Sequence, residues 1–288
     1  MADIKLIKEL RDRTGAGLSD CNAALAACDN DIEKACDWLR EKGIAKAAKK
    51  ADRIAAEGLA LAVKCPSCGK TVVLEVNCET DFVAKGDAFR AFVESIAKVI
   101  LKEEPKDVEA AKALTTDLFA DATVKMGEKF DLRRFTIIPA DGNVIGSYIH
   151  MGGKIAVAVS LSGGDDELAK QVSMHIAANN PQYLAIEDVP AEVREHEMSV
   201  QKEAAKNDEK LANKPAPVLE KILEGKINKY FAEMSLEAQP FLMDDSKTVG
   251  QFLKEKGVEV LSFVRYQVGE GIEKRKDDFA SEVMAQAK

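Results

Sequence analysis

No run of about eighteen apolar residues occurs in this chain of 288 residues, so no segment offers a membrane-spanning helix. The opening Met-Ala-Asp-Ile-Lys lacks the apolar stretch of a signal peptide, and the expectation is a soluble, cytoplasmic protein. Histidine is scarce: His150, His175 and His196 stand at none of the spacings that hold zinc. No nucleophile elbow, paired-acid cleft or glycine-rich dinucleotide loop is evident, so no motif supports an enzyme activity, and no cofactor is expected. The loop Thr14-Gly-Ala-Gly17 lacks the Gly-Lys-Ser/Thr ending of a phosphate loop. With a net charge of −8, the molecule also lacks the basic footprint of a nucleic-acid binder.

What is present suits a multidomain globular protein, with 46% hydrophobic and 31% charged residues. Val72–Val76 is a short β-branched and aliphatic run that predicts a buried strand. Apolar residues at Phe89, Phe92, Val93, Ile96, Val99 and Ile100 then fall at helical spacing. Between them stand Thr80, Asp81, Phe82 and Val83. One reading makes Thr80 or Asp81 a helix cap with Phe82 stapled to the core. The other presents an exposed acid and aromatic to a partner.

Along the rest of the chain, residues 3–42 predict three short helices, the second with Cys21, Ala24 and Leu25 on its inner face, the third capped at Asp29-Asn-Asp31 and ending at Gly43. Lys42, Lys46, Lys49, Lys50 and Arg53 read as a solvated helical linker rather than a nucleic-acid contact, one that can steer an acidic partner surface. Residues 56–76 predict a hairpin followed by a helix, and residues 143–179 repeat that order. A duplicated α+β core follows from this echo. Residues 107–127 predict a further helical stretch and residues 130–138 a strand, in which Arg133 and Arg134 are expected in surface ion pairs. Two charged helices within 190–234 predict a protruding antiparallel hairpin. Phe241, Leu242 and Met243 then crowd a loop, as a buried cover or as a partner contact. Ser246 is expected to cap a short helix, before a last strand over 258–268 and a C-terminal helix marked by Phe279 and Val283.

Six cysteines occur, and without an export signal reduced thiols are the expectation. Cys65-Pro-Ser-Cys68-Gly69 is a C-x-x-C knuckle at a predicted hairpin tip. Zinc needs four ligands and no second knuckle exists, although Cys78 could approach across the hairpin. A structurally neutral tip, a metal site at Cys65 and Cys68, and a redox pair all stay open.

Three motifs carry a resemblance to a known family. Asn77-Cys-Glu-Thr-Asp-Phe-Val-Ala-Lys85, Leu10-Arg-Asp-Arg-Thr-Gly-Ala-Gly-Leu-Ser-Asp-Cys21 and Gly146-Ser-Tyr-Ile-His150 resemble, in order, signatures of the elongation factor Ts family. Members are nucleotide-exchange factors of elongation factor Tu, active in translation elongation and protein biosynthesis without covalent chemistry. The resemblance runs from about residue 3 to about residue 285. It implies a ubiquitin-associated-like three-helix domain with its linker in residues 1–55. Core subdomains follow in 56–140 and 141–270, the latter with the helical hairpin 190–234, and a helical module in 271–288. It places Asp81 and Phe82, with Thr80 and Val83, against the GTPase near its magnesium, and His150 where the phosphate-loop backbone rearranges. Arg11, Leu18, Asp20 and Cys21 would meet a GTPase-domain helix. Asn22 stands where members carry a contacting lysine, so that contact is in doubt. Leu242, Met243 and Phe279 would make further contacts, and the helical hairpin would hold its arm from the core or mediate self-association. The rival reading is a ubiquitin-associated-type adaptor, in which residues 1–55 bind alone and Phe82 is irrelevant.

Overall fold

The computed structural model describes residues 3–208, 211 and 214–273. The fold is α+β and separates into two compact units. Among the described residues the first takes 3–137, 149–156 and 266–273, and the second takes 138–148 and 157–265.

The first unit opens with α1 (Ile4–Thr14), α2 (Leu18–Ala27) and α3 (Ile32–Lys49). Asp3 and Asp31 cap α1 and α3 by accepting from backbone N–H groups of the first turn. Leu10, Cys21, Ala24, Leu25, Ala35 and Leu39 close a small core among the three helices. α3 does not stop at Gly43 but runs on to Lys49, so the expected helical linker is largely a continuation of α3. The missing Cβ is the reason: one built on Gly43 would stand 2.5 Å from the Ala120 carbonyl oxygen, so glycine lets α3 pack on α7 (Thr116–Met126). Four of the five basic residues are spent within the molecule. Lys42 lies over the Trp38 ring, Lys46 pairs with Asp20 at 3.0 Å, Lys50 reaches the Gly127 carbonyl and Arg53 pairs with Glu79.

A three-stranded sheet follows, in the order β1 (Glu57–Lys64), β2 (Thr71–Cys78), β3 (Asp131–Ile138). β1 and β2 pair antiparallel without interruption from Glu57↔Cys78 to Lys64↔Thr71. β2 is the central strand and is buried along its whole length. On one face Val72, Leu74, Val76 and Cys78 join the core made with α5 (Asp87–Glu103). The helix contributes Phe89, Phe92, Val93, Ile96 and Ile100, and each such burial stabilises by about 1.5–3 kcal/mol. The predicted stretch over 107–127 is two helices, α6 (Val108–Leu114) and α7, with Thr115 between them.

The other face of β2 carries Glu75, wholly buried. Arg133 Nη1 and Arg134 Nε donate to its carboxylate at 3.1 and 2.6 Å. Asn77 Nδ2 adds a bond at 3.2 Å and the Gly269 N–H one at 2.8 Å. The two arginines are therefore not surface ion pairs; they neutralise a carboxylate inside the unit.

In the second sheet the order is β4 (Val144–His150), β5 (Ile155–Leu161), β8 (Val260–Gln267). Both sheets thus consist of a consecutive strand pair with a later strand beside its second member. α8 (Asp166–Asn179) follows β5, capped by Asp165. Gly146 belongs to the third motif because β4 passes so close to α8 that a Cβ there would lie 2.4 Å from Ala169 backbone atoms. α9 (Ala191–Lys206) and α10 (Ala216–Met234) pack together, burying Ala205, Leu211 and Leu223 in one cluster and Val189, Ile227 and Phe231 in another. β6 (Pro240–Phe241) and β7 (Asp244–Thr248) then pair before α11 (Val249–Glu255). Thr248, not Ser246, caps α11, in a reciprocal capping box with Gln251; Ser246 is occupied within β7. Phe279, Val283 and the expected C-terminal helix lie outside the described residues.

Glu75→Ala would leave two arginines facing an empty site, and we expect a stability loss of about 3 kcal/mol. Urea unfolding monitored by circular dichroism checks this as a lowered midpoint.

Candidate functional site

Thr80 and its neighbours are positioned by the end of β2. Cys78 is buried, and its thiol, pushed up to about 12 by burial and by the nearby Glu128, donates to the Thr80 carbonyl at 3.2 Å. Glu79 and Glu128 then make a reciprocal clamp. Glu128 accepts from the backbone N–H groups of Glu79 and Thr80 at 2.9 and 3.1 Å, and from the Thr80 hydroxyl at 2.5 Å. Glu79 accepts from the Lys129 N–H at 2.7 Å. The Lys129 ammonium reaches back to the carbonyls of Ala51 and Arg53.

From this anchor rises α4 (Asp81–Ala84), a single helical turn. Thr80 is its N-cap, accepting from the Val83 N–H at 3.4 Å. Asp81 pairs with Lys85 at 2.6 Å, and the lysine holds its carboxyl below the usual carboxylate range. Val83 packs against the core and Ala84 is buried within it. Phe82 is not stapled inward: it is 87% exposed. The capping half of the first reading and the exposed aromatic of the second therefore both hold. These bonds and contacts fix the backbone beneath a phenyl ring that faces water.

Within the same unit, His150 ends β4 exposed, and Met151 beside it is 71% exposed in a left-handed turn conformation with φ +49°. That turn is tied down: Ala60 N–H donates to the Gly153 carbonyl at 2.7 Å and Arg90 to the Gly152 carbonyl at 3.2 Å. In the three-helix region Arg11 is exposed, Leu18 is 56% exposed and Asp20 is engaged by Lys46. Cys21 is wholly buried, its thiol donating to the Ala16 carbonyl at 3.6 Å. Its side chain serves the helical core, where Cys21, Ala24 and Leu25 form the expected inner face of α2.

In the second unit, Phe241 is buried while Leu242 and Met243 at the β6–β7 turn are 52% and 43% exposed. Their support is His175 on α8. Its Nδ1 accepts from the Leu242 N–H at 3.2 Å and from the Asn179 amide at 3.0 Å, which leaves Nε2 protonated to donate to Gln239 Oε1 at 2.9 Å. Burial holds the imidazole below its ordinary 6.5.

No sequence pattern announces Glu128 or His175 as supporting residues. Glu128 lies 48 residues from Thr80 along the chain. His175 does fall three residues after Val172, on the inward face of α8, which is the one local sign of its burial. Among the described residues no group of three or more His, Cys, Asp or Glu side chains is arranged to hold a metal ion. Cys65 and Cys68 sit at the β1–β2 tip, whereas Cys78 pairs with Glu57 at the opposite end of the hairpin, about 20 Å away by strand rise. The three thiols do not converge. Among the described residues no helix is long and apolar enough to cross a membrane.

The family model described as elongation factor TS matches residues 79–270. The elongation factor Ts of Pediococcus pentosaceus is 48% identical over 286 residues, covering 97% of this chain and 96% of that protein. The elongation factor Ts of Levilactobacillus brevis is 46% identical over 289 residues, with the same coverage of 97% and 96%. This chain is a member of the elongation factor Ts family. Its function is that of the family, nucleotide exchange on elongation factor Tu in translation elongation.

Glu128→Ala removes acceptors for two backbone N–H groups and a hydroxyl. Losing them is worth about 1–3 kcal/mol of local stability, and we expect amide hydrogen exchange across residues 79–85 to accelerate by roughly ten- to a hundredfold. Protonating His175 removes the acceptor of the Leu242 N–H. Because its folded pKa lies below the unfolded value, its contribution to stability is full above about pH 6.5 and is lost as pH falls toward the folded pKa. NMR titration of the His175 ring should give a midpoint below 6.5, accompanied by a shift of the Leu242 amide.

Proposed function

We propose that the chain drives GDP release from elongation factor Tu by presenting Phe82, with Asp81 at its side, to the region of the GTPase that holds magnesium and phosphate. The observation that carries this reading is an almost fully exposed phenylalanine on a clamped helical turn. An exposed aromatic is ordinarily disfavoured in water, and a rigid one loses little conformational entropy on entering a partner pocket. Insertion of such a ring separates partner side chains, while the Asp81 carboxylate adds a negative charge near a cation site. Metal and phosphate contacts weaken before the nucleotide leaves. No bond of the nucleotide is made or broken, so this is an exchange factor and not a catalyst of a chemical reaction.

Exchange needs only a difference in affinity. A factor that binds nucleotide-free GTPase more tightly than the GDP-bound form must, reciprocally, be weakened by GDP. Each tenfold gain in release rate requires about 1.4 kcal/mol off the barrier. His150, beside Met151, is suited to a second contact supporting a rearranged phosphate-loop backbone. Arg11 and Leu18, with Asp20, offer a separate polar and apolar surface for docking, and Leu242 with Met243 offers another. Phe279 would extend the contact. The site acts in the cytoplasm, with no nucleic acid or membrane taking part, and α9 with α10 gives a helical hairpin suited to self-association.

Release of fluorescent GDP from a bacterial elongation factor Tu tests the reading. Wild-type protein should accelerate release strongly, and Phe82→Ala should lose at least about tenfold of that acceleration, the loss of one central anchor. Its thermal unfolding should match wild type, since the ring makes little use of the core. Acceleration untouched by the substitution would sink the mechanism while leaving the exchange function standing.

A further inference from the structure

Five of the six cysteines divide into two kinds. Burial pushes the Cys21, Cys36 and Cys78 thiols up, which makes them poor nucleophiles. Cys65 and Cys68 instead occupy the β1–β2 tip, the first half-buried and the second exposed. Beyond the last strand pair, Lys64↔Thr71, the Cys65 N–H donates to the Lys70 carbonyl at 2.7 Å and the Gly69 N–H to the Cys65 carbonyl at 3.0 Å. Gly69 closes the turn at φ +74°. The turn brings the Ser67 hydroxyl back to the Cys65 sulfur. Ser67 Oγ is 3.2 Å from the Cys65 sulfur, and Cys68 stands three residues on in the same turn. Hydrogen bonding from Cys68 first and Ser67 next favours the thiolate and brings the Cys65 thiol down to about 6. Lys70 lies nearby but is held by Glu104 at 2.5 Å.

Two sulfurs make an incomplete metal site, and no third His, Cys, Asp or Glu joins them in a metal-holding group among the described residues. They are sufficient for a disulfide. We infer that Cys65 and Cys68 form a reversible dithiol–disulfide pair that reacts with small-molecule disulfides, Cys65 attacking and Cys68 resolving. The Cys65 thiolate attacks one sulfur of the small disulfide, forming a mixed disulfide and expelling one small thiolate. Cys68 gives up its proton and attacks the Cys65 sulfur, expelling the second. The protein pair is oxidised by two electrons and the small disulfide is reduced to two thiols.

The test uses the reduced full-length chain and glutathione disulfide. Trypsin cuts after Lys64 and Lys70, so both cysteines fall in one short peptide, Cys65–Lys70, free of the other four. The expected wild-type product is that peptide lighter by two hydrogens, with two glutathione thiols released per chain. Cys68→Ser should stop at a stable glutathione adduct on Cys65. The rate of adduct formation should reach half its maximum near pH 6, against about 8.5 for an ordinary thiol. At pH 7 the larger thiolate fraction is partly offset by lower intrinsic nucleophilicity, for a net gain of about two- to threefold. Circular dichroism of the variant controls for folding, which an exposed tip should not disturb. The inference is overturned by a wild-type adduct that never resolves, by a half-rise near 8.5, or by disulfides that link two chains. Zinc bound between two chains, protecting both thiols, would overturn it as well.

Discussion

Glu75 has no access to solvent, and a carboxylate so placed is destabilising by several kcal/mol unless charge and hydrogen bonds replace its water. Two arginines from β3, the Asn77 amide and the Gly269 N–H make that replacement. The consequences spread outward. Arg134 also pairs with Glu270 and lies over the Tyr266 ring, and Arg133 donates to the Glu270 carbonyl. The chain after β8 is thereby fixed to the central strand of the first sheet. Thr136 and Tyr266, linked through their hydroxyls at 2.7 Å, extend the same seam. A hydrophobic residue at position 75 could fill the space but could not specify which segments meet there, and specificity of this kind is a recognised use of buried polar groups.

The functional turn depends on that strand. β2 is inflexible because both faces are buried, and it delivers Cys78 and Glu79 to fixed positions from which α4 starts. Exposure of Phe82 is tolerable because nothing else in the turn is left unsupported. The N-cap, the Glu79–Glu128 exchange and the Asp81–Lys85 pair settle the local backbone without calling on the ring. The same logic holds at the second exposed pair, where Phe241 takes the buried place and His175 fixes the chain beneath Leu242 and Met243.

How much of this was legible depended on range. The strand through Val72–Val76 and the helix from Phe89 to Ile100 follow from spacing alone, because side-chain periodicity and burial coincide there. Thr80 as a cap was equally local. The direction of Phe82 was not, since an aromatic after a capping residue fits a staple and an anchor alike; the family motif favoured the anchor. Arg133 and Arg134 were misread because their partner lies 58 and 59 residues earlier, on a neighbouring strand. Gly43 reads locally as a helix end because its true reason, the closeness of Ala120, is tertiary. Ser246 lost the cap to Thr248 once β7 drew the intervening residues into a strand pair. Cys21 sits in a motif that resembles a contact surface, yet its own side chain packs inward while its neighbours face out.

The unbroken register of the β1–β2 hairpin has a consequence for redesign. Every pair from Glu57↔Cys78 to Lys64↔Thr71 is in step, so the far end is insulated from the length of the tip. Residues added in matched pairs above Lys64 and Thr71 would prolong the ladder without turning any side chain at the Cys78 end to the opposite face. The tip is therefore a place to graft a peptide or a spectroscopic label while leaving the exchange surface in its native setting.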